Sequence, residues 1–577
     1  MQTPKHSTAR DSIQIRLPND TYILGAVGTS LETLLQFAID SDLLALDAPL
    51  IATVAGGKLR ELTYTPTSDL DITPITLAHS DGGRIYRRSL VLLMVVALDT
   101  LWDGIEVNVN YAVRDGGFYC EIVNHAPLSE DDLKKLDAKM RELVVADLPI
   151  TKRTASIDEA IAVFEARGAT DKLRLLDGSG RNSLTLYTLN GYDDYYFGYM
   201  VPSTRYLQTF KLIHYGDAFV LQYPRKANPH ELRPLRLYEK LSAVFAQADD
   251  WLNKLHVEDV GRLNHLVKGQ DLRELILIAE ALHEQNVARI ASEIAERNQE
   301  GVRIVLIAGP SSSGKTTFSK RLAIQLLALG IRPFTIEMDN YFVERTLTPL
   351  DENGEYDFES LDALNRTLLN THLLTLMRRE QVQLPKFNFH TGIPQPGRIA
   401  QLADDQIVIL EGIHGMNPAL LAQVPDESIY RIYVSVLSQL NIDNHNRVPT
   451  TDVRLLRRIV RDATHRGYSA ADTISRWTSV RRGEKRNIFP YQENADVMFN
   501  SALAYELAAL RPVVEPLLLQ VMPHSQPHLE ANRLLSFLRW VAPMTREQVA
   551  MIPDTSLLRE FVGGSILADY HPSGQSG

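Results

Sequence analysis

The sequence predicts a multidomain α/β chain: a parallel sheet with helices on both faces, preceded by two small α+β domains and a helical connector. Three observations carry that expectation. After residue 300, four short apolar runs (302–308, 334–338, 407–410 and 432–436) lack polar alternation, as strands buried on both faces of a parallel sheet do. Upstream, alternation, tight turns and serine-led helix starts describe small mixed units. Between them, residues 235–299 are almost wholly helix-compatible.

Ile13, Ile15 and Leu17 alternate before the turn Pro18-Asn19-Asp20 and the apolar stretch 22–24, a hairpin signal. A helical pattern follows at 31–37, and an apolar run over 51–54 enters the turn Gly56-Gly57, so a first α+β domain spans 1–80. A second spans 81–225. Ser129 stands three residues before Asp132, and Ser156 three before Glu159, each ahead of a helical apolar pattern. The second of these helices stops near Arg167-Gly168, and 192–223 is rich in tyrosine and short strand-like runs. The connector spans 226–299, with Leu272, Leu275, Ile276, Ala279, Leu282, Val287, Ile290, Ala291 and Ile294 at helical spacing. The alternating strand and helix unit spans 300–500, and a helical segment with a polar tail from 571 spans 501–577.

The chain has 577 residues and a net charge of −11, which argues against a protein built to coat DNA or an anionic membrane. Its single cysteine, Cys120, excludes an intrachain disulfide. The longest apolar run, 90–98, falls short of the roughly 18–20 residues a membrane span needs. The first twelve residues carry no signal-peptide core, so a cytoplasmic protein is expected.

Residues 309–316, GPSSSGKT, satisfy G-x-x-x-x-G-K-[ST] between a buried run and an amphipathic helix pattern with Phe318, Leu322 and Leu326. Glycines let backbone N–H groups wrap phosphates, the helix N-terminus adds positive potential, the lysine neutralises β/γ oxygens, and the threonine hydroxyl can hold Mg²⁺. Gly309, Ser311, Ser312, Ser313, Gly314, Lys315, Thr316 and Thr317 are therefore expected to bind ATP or GTP. Asp339 and Glu411 each follow a strand run directly, where the reactive groups of open α/β sheets gather, and suggest a general base and a metal ligand. Arg454, Arg457, Arg458 and Arg461 share one helix face with no interleaved acid, which predicts a lid over transferring phosphates. A nucleic-acid surface, extended by Arg476, Arg481, Arg482, Lys485 and Arg486, is the competing reading.

At these residues, about 300–500 resembles the uridine kinase/phosphoribulokinase family of P-loop kinases, through GPSSSGKTT, MDNYF, YDFESLDAL, LPKFNF, VILEGIHG and TDVRLLRRIVRD. The resemblance implies Asp339 as the base, Glu411 with Thr316 at Mg²⁺, Glu359 on ribose hydroxyls, and Tyr341, Phe387 and His390 on the acceptor side. It implies Arg454 on the substrate side of the lid, and Arg457, Arg458 and Arg461 on the phosphate side. Two departures change the base-reading code: Phe387-Asn388-Phe389 with His390 adjacent leaves Gly392 at the family's usual histidine position, and Asp472 replaces a glutamine.

Residues 10–225 resemble the TGS and editing domains of threonyl-tRNA synthetase, through IQIRLPNDTY, GGFYCEI and MVPSTRYLQTFKL. Where that editing site carries histidines and a cysteine, this chain has Arg88, Leu92, Tyr196 and Met200, so a scaffold or binding surface is expected instead. Together these features predict a kinase, possible as a homo-oligomer, for a hydroxyl of a uridine- or cytidine-like nucleoside. The alternatives are a kinase for a sugar phosphate or other metabolite, and a nucleotide-switched regulator contacting RNA or ribosome through its N-terminal half.

Overall fold

A computed structural model describes residues 10–571 apart from 237, 352–353, 438–439 and 524. The readings of the first nine residues and of most of the polar tail lie outside the described residues.

The first sheet has five strands in the order Tyr22–Ala26, Ser12–Arg16, Leu70–Thr76, Leu50–Ala55, Lys58–Glu61. The expected hairpin pairs Ser12 with Ala26 and Arg16 with Tyr22. Helix Leu31–Asp40 starts at Ser30, whose side chain accepts the Thr33 N–H, and buries Leu31, Leu34, Leu35 and Ala38.

The next unit is built on helix Ser80–Leu101, in which all of residues 90–98 are buried inside the protein. A helix apolar on every side needs cover on every side. Here the cover comes from a four-stranded antiparallel sheet, helix Glu130–Val145 and the loops around 196–210. The serine signals mark real helix starts. Ser129 and Asp132 exchange bonds in a capping box before Glu130–Val145, and Ser156 caps Ile157–Ala166.

Helices Glu239–Lys254, Val260–Lys268 and Leu272–Glu300 form the connector. It is a structural layer and not a tether. Ile276, Val287, Ile290 and Ile294 share one core with Val305, Ile307 and Val434 of the parallel sheet, with Leu510 and Leu538 from the C-terminal helices, and with Phe164 and Leu186 upstream. That sheet has five parallel strands in the order Arg332–Glu337, Gln406–Glu411, Ile304–Ala308, Ile429–Ser435, Val497–Asn500. A second core covers its other face, through Ile304, Leu306, Val408, Leu410, Leu369 and Leu373. The four predicted strands are present. The fifth, only four residues long, escapes a search for apolar runs. So does the hairpin Val382–Asn388 with Ile393–Ala400, where Pro385, Pro394 and Pro396 break the strand signal. Beyond 500, helices Glu506–Leu519 and Gln526–Leu538 and the short Arg546–Ala550 and Arg559–Val562 match the helical expectation.

Candidate active site

The glycine-rich loop leaves the central strand Ile304–Ala308 and enters helix Lys315–Ala328. A Cβ at Gly309 would lie 1.9 Å from the Val434 carbonyl oxygen, so the loop can pass the neighbouring strand only as glycine. Gly314 adopts φ +82° to turn into the helix, and no side chain caps that helix. Its first-turn N–H groups are therefore left for a ligand. The hydroxyls of Ser312 and Ser313 are buried and have no hydrogen-bond partner among the described residues. A polyanion seated in the loop would satisfy donors of this kind.

The helix start and two strand ends bring three charged groups to this loop. The Lys315 ammonium donates to the Pro310 carbonyl at 3.2 Å. Burial lowers its pKa, and Glu411 opposes that shift. The Thr316 hydroxyl donates to Glu411 Oε1 at 2.8 Å. Burial lifts the Glu411 carboxyl to about 7, against the pull of Lys315 and Thr316. Asp339 lies in the turn Met338–Tyr341, directly after Arg332–Glu337. Its side chain reaches solvent at the cleft rim, yet the surrounding walls raise its pKa, with Lys315 the largest opposing charge. An oxygen-only pair with solvent access, Thr316 and Glu411, suits Mg²⁺, which usually takes few protein ligands and completes its shell with water and phosphate.

The four lid arginines occupy helix Thr450–His465 but do different things. Arg454 donates to the Ser311 carbonyl at 3.0 Å and forms a two-toothed pair with Glu484. Arg458 reaches the Ser311 hydroxyl at 2.7 Å, and it and Arg461 lie 3.2 Å from Asp462. Arg457 corrects the sequence reading. It is fully buried, bound to Glu506 at 2.6 Å and to the Ser501 carbonyl at 2.8 Å, and so holds the lid helix to helix Glu506–Leu519. The acid that seemed missing from this face is supplied by Asp462 of the same helix and by Glu484 and Glu506 from other segments, so self-repulsion no longer argues for a bound anion. Glu484, which the sequence reading missed, also accepts the Ser311 N–H at 3.1 Å and Arg481 at 3.0 Å. Only Arg481 is local to it; its other partners, Arg454 and Ser311, lie 30 and 173 residues away.

On the acceptor side, Glu359 abuts Gly483, where a Cβ would lie 2.6 Å from its own. Burial, with Glu484 nearby, lifts the Glu359 carboxyl to about 7. Tyr341 is a second correction: its ring is in the core and its hydroxyl meets His372 Nδ1 at 3.1 Å. Phe387 is a third. It is buried beside Phe342 and Phe389, and Phe389 is the ring that reaches solvent. His390 is exposed at the hairpin turn, its backbone N–H bound to Asn388.

In the N-terminal half, Leu92, Tyr196 and Met200 are all buried, and Arg88 donates to the Tyr199 carbonyl at 2.8 Å. A buried charge network lies close by. Lys172 sits 2.9 Å from Asp443 and 3.2 Å from Asp194, and His445 Nδ1 is 2.7 Å from Asp194. Asp443 and His445 belong to the loop that leads into the lid helix.

Residues 304–507 match the model of the phosphoribulokinase/uridine kinase family. The matched segment holds the glycine-rich loop, the parallel sheet and the strand-end carboxylates. The N-terminal half is similar to threonine–tRNA ligases. That of Methylobacillus flagellatus is 30% identical over 217 residues, 37% of this chain and 33% of the relative. That of Nitratidesulfovibrio vulgaris is 25% identical over 349 residues, 59% of this chain and 50% of the relative. The chain thus spans a third to a half of these two relatives. Among solved structures, "a Possible Uridine Kinase from Bacillus stearothermophilus" is 18% identical, covering 37% of this chain and 98% of its own, with TM-score 0.26. A D-glycerate 3-kinase from Cryptococcus neoformans is 16% identical, covering 48% and 87%, with TM-score 0.21. No helix among the described residues is long and apolar enough to cross a membrane.

Proposed function

We propose that this chain transfers the γ-phosphoryl group of ATP or GTP to a hydroxyl of a nucleoside resembling uridine or cytidine. The observation that carries the reading is the convergence of Lys315, at the start of its helix, with Asp339 and Glu411 at neighbouring strand ends, around a loop with unpartnered buried hydroxyls. The acceptor oxygen bonds to the γ-phosphorus as the bond to the β,γ-bridging oxygen breaks, and its proton passes to Asp339. A carboxylate raised above its ordinary range is a better base near neutrality. Lys315, Arg454 and Arg458 stabilise charge on the transferring group. Thr316 and Glu411 would hold Mg²⁺, which would supply charge neutralisation to the triphosphate. Glu359 orients the acceptor through its hydroxyls, and Phe389 rather than Phe387 offers a ring for stacking.

A second reading, an acceptor that itself carries an anionic group, is favoured by one cluster. Lys485 follows Glu484 and has no ion-pair partner among the described residues. Burial, together with Arg481, Arg225, Lys226 and Arg233, lowers its pKa to about 8. Product release from ATP and GTP with Mg²⁺, measured across uridine, cytidine, other nucleosides, ribulose 5-phosphate and pantothenate, separates the two readings. Turnover with nucleosides supports the first and turnover only with anionic acceptors the second. Silence across the panel with nucleotide binding intact would reject both, in favour of a nucleotide-switched regulator.

A further inference from the structure

The C-terminal segment reaches the phosphate loop alongside the lid helix. Leu557 packs on Gly314, where a Cβ would lie 2.5 Å from the Leu557 side chain. Glu560 Oε2 accepts the Thr317 hydroxyl at 2.8 Å. Lys320, one helical turn on, donates to the Leu567 and Ala568 carbonyls at 2.6 and 2.8 Å. Phe561 lies under the Arg457 guanidinium at 5.1 Å.

This segment is held firmly. Leu557, Leu558 and Phe561 are buried in the main core. The Arg559 side chain donates to the carbonyls of Val549, Ile552 and Gly563, and the Ser556 hydroxyl donates to Glu280 of the connector at 2.5 Å. Glu560 is thus a carboxylate on a fixed wall, and its Oε1 accepts no hydrogen bond among the described residues.

The location limits what such an oxygen can do. A triphosphate seated in the loop would run its oxygens from Ser311 to Thr316, so its last phosphate would lie beside Thr317 and the sugar of the donor would follow there. A fixed carboxylate repels phosphate but accepts hydrogen bonds from hydroxyls. The vicinal hydroxyls of a ribose are the donors that a nucleotide presents at this distance from its 5′-phosphate.

We infer that Glu560 reads the sugar of the donor: its free carboxylate oxygen accepts a hydrogen bond from a ribose hydroxyl, so the chain prefers ribonucleoside triphosphates to their deoxy analogues. This rests on the phosphate-loop kinase reading above and extends it to the donor's sugar.

The test uses the full-length chain without acceptor, titrated with Mg²⁺ and ATP, 2′-deoxy-ATP or 3′-deoxy-ATP. The wild type should bind ATP about tenfold more tightly than at least one deoxy analogue. Glu560→Ala should bring that ratio close to one, whereas Glu560→Gln, which keeps an accepting oxygen, should hold part of it. If Glu560→Ala does not fold, Glu560→Asp withdraws the same oxygen by one methylene and should lower the ratio likewise. An unchanged ratio in these variants overturns the inference. So does tighter binding of all three nucleotides by Glu560→Ala, which would make Glu560 a competitor for the anion site. A wild type that binds none of the three would instead reject the phosphate-loop reading itself.

Discussion

The two halves of the chain both place charged side chains in confined space, but under opposite conditions. At the phosphate loop, Asp339 and Thr316 reach solvent, Lys315 and Glu411 are only half-buried, and two serine hydroxyls lack partners. Where the ligase-like half meets the loop before the lid helix, Lys172, Asp194 and Asp443 are sealed from water and joined by ion pairs. The difference teaches what a perturbed charge means here. A charge left partly unmet beside a cleft is poised for a ligand, while a charge matched by buried opposites fixes two segments together. The positions at which the resembled editing domain carries its histidines and cysteine follow neither pattern. They are occupied by Leu92, Tyr196 and Met200 in the core and by Arg88 on a backbone carbonyl.

The largest effect that could break this contrast is at Asp339. Asp339→Asn should cost about 10²- to 10⁴-fold in turnover while leaving the melting temperature near that of the wild type. Near-wild-type product release would remove it as the base. Next comes Lys172→Met, which takes the cation from Asp443 and leaves Asp194 to Arg167 and His445. Denaturant unfolding should show a loss of about 3–5 kcal/mol, with phosphoryl transfer per folded molecule largely kept. A small stability change paired with lost turnover would mean that the network belongs to the chemistry after all.

A finer test lies within a single helix. Arg457→Met should destabilise by about 3 kcal/mol by leaving Glu506 buried without its cation. Arg458→Met, which removes a guanidinium from the Ser311 hydroxyl, should instead lower turnover by about tenfold with little effect on unfolding. Equal behaviour of the two variants would erase the distinction drawn between them.

The smallest effect is at Glu359, whose carboxyl is lifted from 4.5 to about 7. Between those values the folded chain keeps a proton that the unfolded chain has released, so rising pH costs the fold stability as Glu359 ionises. Glu359→Gln should raise the melting temperature at pH 8, and the gain should shrink at pH 5. A gain equal at both pH values would show that burial of this carboxyl does not govern its ionisation.

Much of this site is legible in the sequence because it is local. The glycine-rich loop needs its neighbours within eight residues, and Asp339 and Glu411 are located by the strands they terminate. Helix starts at Ser129 and Ser156 are equally local, being decided by bonds across three residues. Other features escape for the opposite reason. A helical wheel places four arginines on one side of a helix, yet Arg457 leaves the site because Glu506, 49 residues on, meets it in the core. Tyr341 and Phe387 sit in motifs whose acceptor-side role the family suggests, and packing against His372 and Phe342 withdraws them. The strand Val497–Asn500 is too short to carry a pattern and exists because Ile429–Ser435 offers it an edge.

By itself, then, the sequence determined the strand ends, the loop chemistry and the helix caps, since each depends on residues that are neighbours along the chain. The tertiary structure decided which charges are neutralised and which aromatic ring is left to face solvent. It also decided that a C-terminal glutamate stands at the phosphate loop. Burial and ion pairing are set by residues hundreds of positions apart, and only folding brings those within hydrogen-bonding reach.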